Sequence, residues 1–137
     1  MNTEKATFRL DAYRFTKASM DFDIPNPSEL TISFYPRGEF HEDRACYNLF
    51  FDVVVDCKER RTSVVKVSCE ASFSFDKVCE LKDIPEYFYP NSLAIIFPYI
   101  RAFVSTLSVQ ANMFPIVLPT VNLTGLTGTL KEKTEVI

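Results

Sequence analysis

A strict alternation of apolar and polar residues between positions 65 and 76 constrains the fold of this chain more than any other feature. The apolar members are Val65, Val67, Cys69, Ala71, Phe73 and Phe75, and the residues between them are Lys66, Ser68, Glu70, Ser72, Ser74 and Asp76. Successive side chains of a β-strand point to opposite faces, so this pattern predicts a strand with one buried and one solvated face. Such strands are typical of antiparallel sheets.

Three other segments predict strands of the same sheet. Residues 47–57 alternate in the same way, and the charged stretch 58–61 predicts a hairpin turn to the next strand. Phe8, Leu10 and Ala12 alternate with Arg9, Asp11 and Tyr13, which predicts a first strand that continues toward Ile24 and ends at the proline-containing residues 25–28. Residues 30–35 predict a short second strand, closed by a turn at 36–39.

From about Ser92 the apolar period changes to that of a helix. The apolar residues recur at i, i+3 and i+4: Leu93, Ile96, Phe97, Ile100, Phe103, Val104 and Leu107. Asn91 or Ser92 is expected to cap the start, and Pro98 predicts a kink or a start nearby. The helix should end near residues 110–112.

An apolar tail follows the predicted helix. Pro115 and Pro119 favour extended backbone, while Gly125 and Gly128 weaken a final helix. Residues 1–6 and 131–137 are expected to fray. We therefore predict one α+β domain over residues 1–137, with a four-stranded antiparallel sheet and a long helix in the C-terminal half packed on one face.

Composition disfavours several classes of function. The net charge is −3 and the pI is about 5.2, which argues against nucleic acid or an anionic membrane as the main partner. No signal peptide is recognisable at the N-terminus, and the apolar stretch 93–98 is shorter than the ~18 residues of a membrane span. We expect a cytoplasmic protein with reduced thiols and without membrane insertion.

The sequence contains no pattern typical of a catalytic or metal site. The single histidine, His41, lies near Cys46 in a predicted loop, but no glycine-rich oxyanion loop accompanies the pair. The four cysteines are separated by about ten residues, which matches no zinc-ligand spacing. We predict that the protein is not an enzyme and that it uses no metal or other cofactor.

Several motifs, in order, resemble those of the SecB family of protein-export chaperones. FPYIR at 97–101 and FPIVLPTVN at 114–122 are similar to the start of the family's helix and to its apolar tail. Residues 15–17 and 22–26, and VSCE at 67–70, are similar to its N-terminal and third-strand motifs. The resemblance covers roughly residues 7–126. It implies a Greek-key-like four-stranded sheet and a homotetramer, a dimer of dimers, that holds unfolded or export-bound polypeptides without ATP and delivers them to the SecA motor.

The resemblance also implies roles for particular residues. Apolar grooves for client polypeptides would be lined by Phe34, Tyr35, Phe40, Phe73, Phe75, Phe114, Ile116 and Leu118, and this use would explain the 13 phenylalanines. Residues that would pack between the sheet and the subunits are Ile100, Phe103, Val104 and Leu107. Asp23 and Glu70 match acidic positions that contact SecA. From the residues alone, the groove side chains could equally form an ordinary core, and the carboxylates could simply be solvated.

The chain also departs from the family pattern. One residue is inserted near 18–19, the tail is one residue short before Asn122, and the acidic C-terminus of the family is replaced by TGTLKEKTEVI. These departures weaken the expectation of delivery to SecA more than that of client binding. A chaperone dedicated to one partner, such as a toxin–antitoxin system, stays open. So do a carrier of a small apolar ligand and a structural subunit whose tail docks on one partner.

Overall fold

In the part of the chain that the structure describes, the sheet contains five strands and is mixed. The computed structural model describes residues 7–23, 29–59, 63–78 and 80–137. Its elements are β1 (Thr7–Met20), β2 (Leu30–His41), β3 (Cys46–Cys57), β4 (Ser63–Asp76), a 3-10 turn (Leu81–Asp83), α1 (Phe88–Gln110), a second 3-10 turn (Leu123–Leu126), α2 (Thr127–Glu132) and β5 (Thr134–Val136). The α+β class and the long helix are confirmed, whereas the purely antiparallel, four-stranded sheet is a prediction that needs correction.

The strand order is β1-β4-β3-β2-β5, with the first four strands antiparallel to their neighbours. Two consecutive hairpins join β2, β3 and β4, and β1 lies beside β4, which is a Greek-key-like arrangement. The short β5 pairs in parallel with residues 38–40 of β2. A C-terminal strand therefore covers part of the β2 edge of the sheet.

Strand β2 runs through the segment that composition alone assigns to a turn. Pro36 pairs with Phe51, and Gly38 pairs with Leu49. Pro36 is tolerated because β5 pairs only with residues 38–40 of β2. On the β5 side of the strand, the missing N–H of Pro36 therefore leaves no hydrogen bond unmade. Gly38 has a packing reason, since a Cβ built there would lie 1.9 Å from the phenol oxygen of Tyr47. The predicted turn at 36–39 is therefore wrong.

Two β-bulges change which residues of β1 face the core. The register with β4 shifts between Leu10 and Ala12, and again between Phe15 and Lys17. Ala12 pairs with Ser72 on the outer face, and Tyr13 pairs with Ala71 on the inner face, which reverses the predicted alternation at these two residues. Each bulge adds one residue to one strand only, so the apolar positions keep facing inward despite the extra residues.

Helix α1 packs on the inner face of the sheet through rings. Phe88 makes edge-on contacts with Tyr47 and Phe73, with centroid distances of 4.8 and 5.4 Å. Further along, Phe103 stacks on Phe15 at 4.0 Å. The helix begins at Phe88, four residues before the predicted start, because these buried rings hold its first turn; neither predicted cap is used, and Ser92 is buried inside it.

The helix continues through Pro98, which lies on its exposed side. An interior proline costs about 3 kcal/mol, and here the fully buried Ile96, Ile100 and Val104 on both sides of it offset that cost. By length and composition alone, α1 is apolar enough to cross a membrane, so its apolar segment is longer than the stretch 93–98 considered from the sequence. In the structure its buried face packs on the sheet, as the core helix of a globular domain does.

Residues 127–137 form α2 and β5 rather than a frayed end. The buried Tyr47 phenol lies 2.6 Å from the hydroxyl of Thr134, which donates to the carbonyl of Leu130 at 2.7 Å. The backbone N–H of Ile137 donates to the backbone carbonyl of Phe40 at 2.9 Å. These bonds fix the C-terminal segment against β2. The predictions for residues 1–6, the prolines at 25–28, Arg60-Arg61 and Cys79 lie outside the described residues.

Candidate polypeptide-binding surface

The segment after α1 is an extended chain held on the helix by polar side chains. Arg101 Nε donates to the carbonyl of Leu118 at 2.8 Å, and the Ser105 hydroxyl donates to that of Ile116 at 2.9 Å. The N–H of Ile116 donates in turn to Ser108 Oγ at 2.9 Å. The three helix residues are spaced i, i+4 and i+7, so they lie on one face of α1. They satisfy backbone groups of the tail that would otherwise be buried without partners.

This clamp makes the side chains of the tail alternate between core and solvent. Ile116 and Leu118 are buried, whereas Phe114 is 74% exposed and Val117 is 64% exposed. We call Phe114 and Val117 the tail patch. Exposed apolar side chains that adjoin one another mark surfaces that bind another molecule, whereas isolated ones are ordinary on protein surfaces.

Helix α1 also exposes apolar side chains along its side next to β1. Ile95, Tyr99 and Val109 are more than one-third exposed, and Tyr99 stacks on the exposed Tyr13 of β1 at 4.3 Å. We call these four residues the helix patch. Because it lies on α1 and β1, it forms a second exposed apolar surface of the chain.

A cleft of about 300 Å³ lies between the first half of α1 and the end of the tail. We call it the helix–tail cleft. Its walls come from α1 and from residues 120–124 of the tail, and the side chains used in the argument below are Ala94, Phe97, Pro98, Arg101 and Asn122. Phe97 meets Phe34 of β2 edge to face at 5.5 Å, so the cleft adjoins the β2 side of the core. The volume falls at the lower end of ligand-binding pockets.

The predicted groove residues divide into two groups. Tyr35 is 55% exposed, Phe34 is half-buried, and Phe114 belongs to the tail patch. The five others are buried in the chain's own core, namely Phe40, Phe73, Phe75, Ile116 and Leu118. Those five do not line an open groove in this conformation, because they lie on the inner face of the sheet or beneath the tail.

The predicted subunit-packing residues of α1 also divide. Ile100 and Val104 are fully buried and belong to the core between the helix and the sheet. Phe103 and Leu107 are half-buried, with Phe103 stacked on Phe15. Only this second pair leaves area that a neighbouring subunit could cover.

The two predicted acidic contacts are both at the surface. Asp23 is exposed, and Glu70 accepts from the guanidinium of Arg14 at 3.0 Å on the outer face of the sheet. Nearby on that face, Arg37 lies over the ring of Phe50 at 4.0 Å and forms an ion pair with Glu39. Positive and negative side chains are thus interspersed here, and the Glu70 charge is locally neutralised.

The groups that could carry chemistry are dispersed. The His41 ring lies 3.2 Å from the Asn48 amide, and Cys46, Cys57 and Cys69 are free thiols. Burial raises the pKa of Cys69 to about 11, with a smaller contribution from Glu70, and burial also raises the pKa of Cys46. In the described part of the chain, no three His, Cys, Asp or Glu side chains are grouped as metal ligands.

Comparison with known proteins identifies the fold. No family model matches the chain. The uncharacterized protein MJ0357 of Methanocaldococcus jannaschii is 35% identical over 79 residues, which is 57% of this chain, and the chain spans only about half (51%) of that relative. The Mycobacterium tuberculosis Rv1957 SecB-like chaperone, solved in complex with a ChAD peptide from the Rv1956 HigA1 antitoxin, superposes with a TM-score of 0.68. That match covers 83% of this chain and 87% of Rv1957, at 12% identity.

The fold is SecB-like. The similarity to Rv1957 concerns the arrangement of sheet and helix, since the identity of 12% is too low to transfer individual residues. A protein of unknown function from Streptococcus agalactiae gives a TM-score of 0.44 at 9% identity, over 85% of this chain and all of that one.

Sequence reasoning missed the helix–tail cleft and the exposure of Val117. A signal for the clamp was present, because Arg101, Ser105 and Ser108 interrupt an otherwise apolar helix at positions on one face. The alternation of the tail was not apparent, because its two prolines and its uniformly apolar character hide which residues face the helix.

Proposed function

We propose that this protein is an ATP-independent chaperone that holds unfolded or export-bound polypeptides on apolar surfaces. The observation that carries the proposal is the tail patch: two large apolar side chains, Phe114 and Val117, stand in solvent on a segment clamped in an extended form. The SecB-like fold supports it, since the solved neighbour with this fold is a chaperone and holds a peptide. A non-enzymatic role fits the same evidence.

The chemistry of the surface suits an occupant without a fixed sequence. Phe114 and Val117 offer apolar area, and the nearby backbone of Thr120 and Val121 makes no hydrogen bond within the described residues. A segment that combines apolar bulk with free backbone groups can pair with many extended chains. Phe34 lies on the inner face of β2 against Phe97, and Tyr35 lies on its outer face; we assign client binding to both residues as well as to the tail patch.

The proposal includes assembly into a homotetramer in the cytoplasm. The helix patch is the part of the surface best suited to subunit contacts, because aromatic and aliphatic side chains are enriched in such interfaces. Phe103 and Leu107 would be covered with it. Size measurement by light scattering tests this part: a tetramer supports it, and a monomer at micromolar concentration refutes it.

A finer part of the proposal is whether the protein delivers clients to SecA or serves one dedicated partner. Glu70 forms an ion pair with Arg14 that is largely exposed, so this pair does not decide between the two. The alternative of a chaperone dedicated to one polypeptide partner, as in a toxin–antitoxin system, is supported by the similarity of the fold to Rv1957, which was solved with a peptide from an antitoxin. A carrier of a small apolar ligand is less favoured, because Tyr47, Phe73 and Phe88 fill the space between the sheet and the start of α1.

The test is suppression of aggregation of a chemically denatured, unrelated protein by stoichiometric amounts of this protein without nucleotide. The double variant Phe114→Ser/Val117→Ser should lose most of the suppression while keeping the wild-type circular dichroism and melting temperature, because both side chains are exposed. The matched control Val136→Ser changes another exposed apolar residue, on β5, and should keep full activity.

Phe73→Ser is not a suitable test variant. Its ring is fully buried, so its loss would unfold the core at a cost of about 3–5 kcal/mol. Two outcomes contradict the general chaperone proposal: a folded sample that suppresses no aggregation, or a double variant as active as the wild type. Tight stoichiometric binding of one protein, with no effect on unrelated ones, would establish the dedicated alternative.

A further inference from the structure

The helix–tail cleft contains one charged group whose hydrogen-bonding capacity is largely unused. Among the described residues, Arg101 is the only charged side chain in its walls. A guanidinium carries five N–H donors, and within the described residues Arg101 uses only Nε, toward Leu118. No described carboxylate forms an ion pair with it. A half-buried guanidinium with free donors favours an anionic group of the occupant.

Asn122, in the tail wall of the cleft, also has a donor without a partner among the described residues. Asn122 Oδ1 accepts from the N–H and the hydroxyl of Thr124, at 3.0 and 2.7 Å, which leaves the amide nitrogen of Asn122 unbonded among the described residues. The backbone N–H and C=O groups of the adjacent Thr120 and Val121 likewise make no hydrogen bond among the described residues. The cleft therefore offers donors for one anion and an unpaired stretch of backbone beside them.

Apolar side chains form much of the remaining wall, beside the polar Asn91, Thr120 and Thr124. Ala94, Phe97 and Pro98 form the helix side of the cleft, and Leu123 closes the tail side. A volume of about 300 Å³ has room for one or two apolar side chains. An occupant that matches all three features carries a single negative charge, an apolar side chain and an extended backbone.

We propose that the helix–tail cleft binds the carboxyl-terminal end of an extended polypeptide whose last residue is apolar. The α-carboxylate lies on the guanidinium of Arg101, the final side chain lies against Phe97 and Pro98, and the preceding backbone runs beside Thr120 and Val121. The proposal rests on the proposed polypeptide-binding function and names the part of the client that this cleft selects. A single arginine matches one carboxylate, whereas a phosphate group attracts several cationic side chains.

The probes are two fluorescently labelled nonapeptides of identical sequence that end in leucine, one with a free carboxylate and one with a carboxamide. Fluorescence anisotropy with the full chain should give at least about tenfold tighter binding of the free acid, from the loss of one charge-assisted pair. Raising the salt concentration should narrow the difference in affinity between the acid and the amide, because salt screens charges in a cleft that is open to solvent.

Two kinds of variant assign the effect to the cleft. Arg101→Lys keeps the charge and removes the planar fork, so it should reduce the preference for the acid several-fold. Because Arg101 also holds Leu118, Ala94→Phe provides an independent test that fills the cleft and leaves this bond intact. Gln110→Phe, at the exposed end of the same helix, is the matched control and should bind like the wild type.

The outcomes separate this proposal from the proposed function. Equal affinity for acid and amide, or an Ala94→Phe variant with unchanged preference, overturns the carboxylate site, and aggregation suppression then decides the chaperone function by itself. Equally tight binding of free decanoate, with displacement of the peptide, also overturns it by showing a site for small amphipathic carboxylates. A preference for the acid that Arg101→Lys reduces several-fold and Ala94→Phe abolishes, with folding intact, supports it.

Discussion

Replacing Thr134 with valine should destabilise the protein through one buried donor. The Thr134 hydroxyl has a single hydrogen, and it donates this hydrogen to the carbonyl of Leu130, which cannot donate in return. Tyr47 is therefore the donor in its 2.6 Å bond to Thr134. Burial raises the pKa of Tyr47, so its phenol keeps this proton throughout the neutral range.

Valine has nearly the shape of threonine but accepts no hydrogen bond. In Thr134→Val the Tyr47 hydroxyl, on a fully buried side chain, would lose its only acceptor in the described structure. Leaving a buried donor unpaired costs about 1–3 kcal/mol. For a chain of this length that corresponds to a fall in melting temperature of roughly 3–10 °C.

The assay is urea unfolding followed by circular dichroism at a fixed protein concentration, since an oligomer's stability depends on concentration. The double variant Tyr47→Phe/Thr134→Val also removes the phenol donor and should recover the part of the loss that the unpaired phenol causes, whereas the Leu130 carbonyl lacks the threonine hydroxyl in both variants. Thr31→Val, on an exposed part of β2, should change stability by no more than about 0.5 kcal/mol. Additive losses in the double variant, or an unchanged Thr134→Val, would refute the reasoning.

Two further predictions concern the same core. Gly38→Ala should lower the free energy of unfolding by about 1–3 kcal/mol and speed hydrogen exchange in β5, because the new Cβ displaces the Tyr47 phenol. Gly128→Ala is the control: a Cβ there meets no atom within 4 Å, so it should be neutral or stabilising by up to about 1 kcal/mol. Equal effects in the two variants would contradict this packing argument. The pKa of Cys69 is about 11 when folded and near 9 when unfolded, so the stability that the neutral thiol contributes is complete below pH 9 and is lost as the pH rises to about 11. The free energy of unfolding of Cys69→Ala, measured by urea titration, should therefore fall less between pH 9 and 11 than that of the wild type. If the free energies of the two proteins fall in parallel with pH, the raised pKa of Cys69 is refuted.

The elements with a single clear period were predictable from the sequence. From Val65 to Asp76, strand β4 alternates as the pattern indicates, because one face packs on α1 and the other meets solvent. The middle and end of α1 also follow their period. The apolar face of β1 was only partly predictable, since its two bulges change the period at residues that carry no distinctive signal.

The errors come from contacts distant in sequence. Pro36 and Gly38 have the composition of a turn, but the Tyr47 ring occupies the space beside Gly38 and makes glycine a strand residue here. The C-terminal strand depends on Thr134 meeting Tyr47, 87 positions earlier, which no local pattern indicates. For the candidate site, a list of apolar residues could not distinguish Phe114, which is exposed, from Phe73, which is buried, because both lie in apolar segments.

The bulges of β1 have a consequence for the exposed edge of the sheet. β1 is an edge of the sheet, and an open edge is a template on which extended chains can add and grow into fibrils. The two irregularities lie about five residues apart, so a strand that paired along β1 would meet a break in the ladder after each short stretch. Extended segments of other chains would therefore be directed away from this edge, and the sheet would not seed their aggregation.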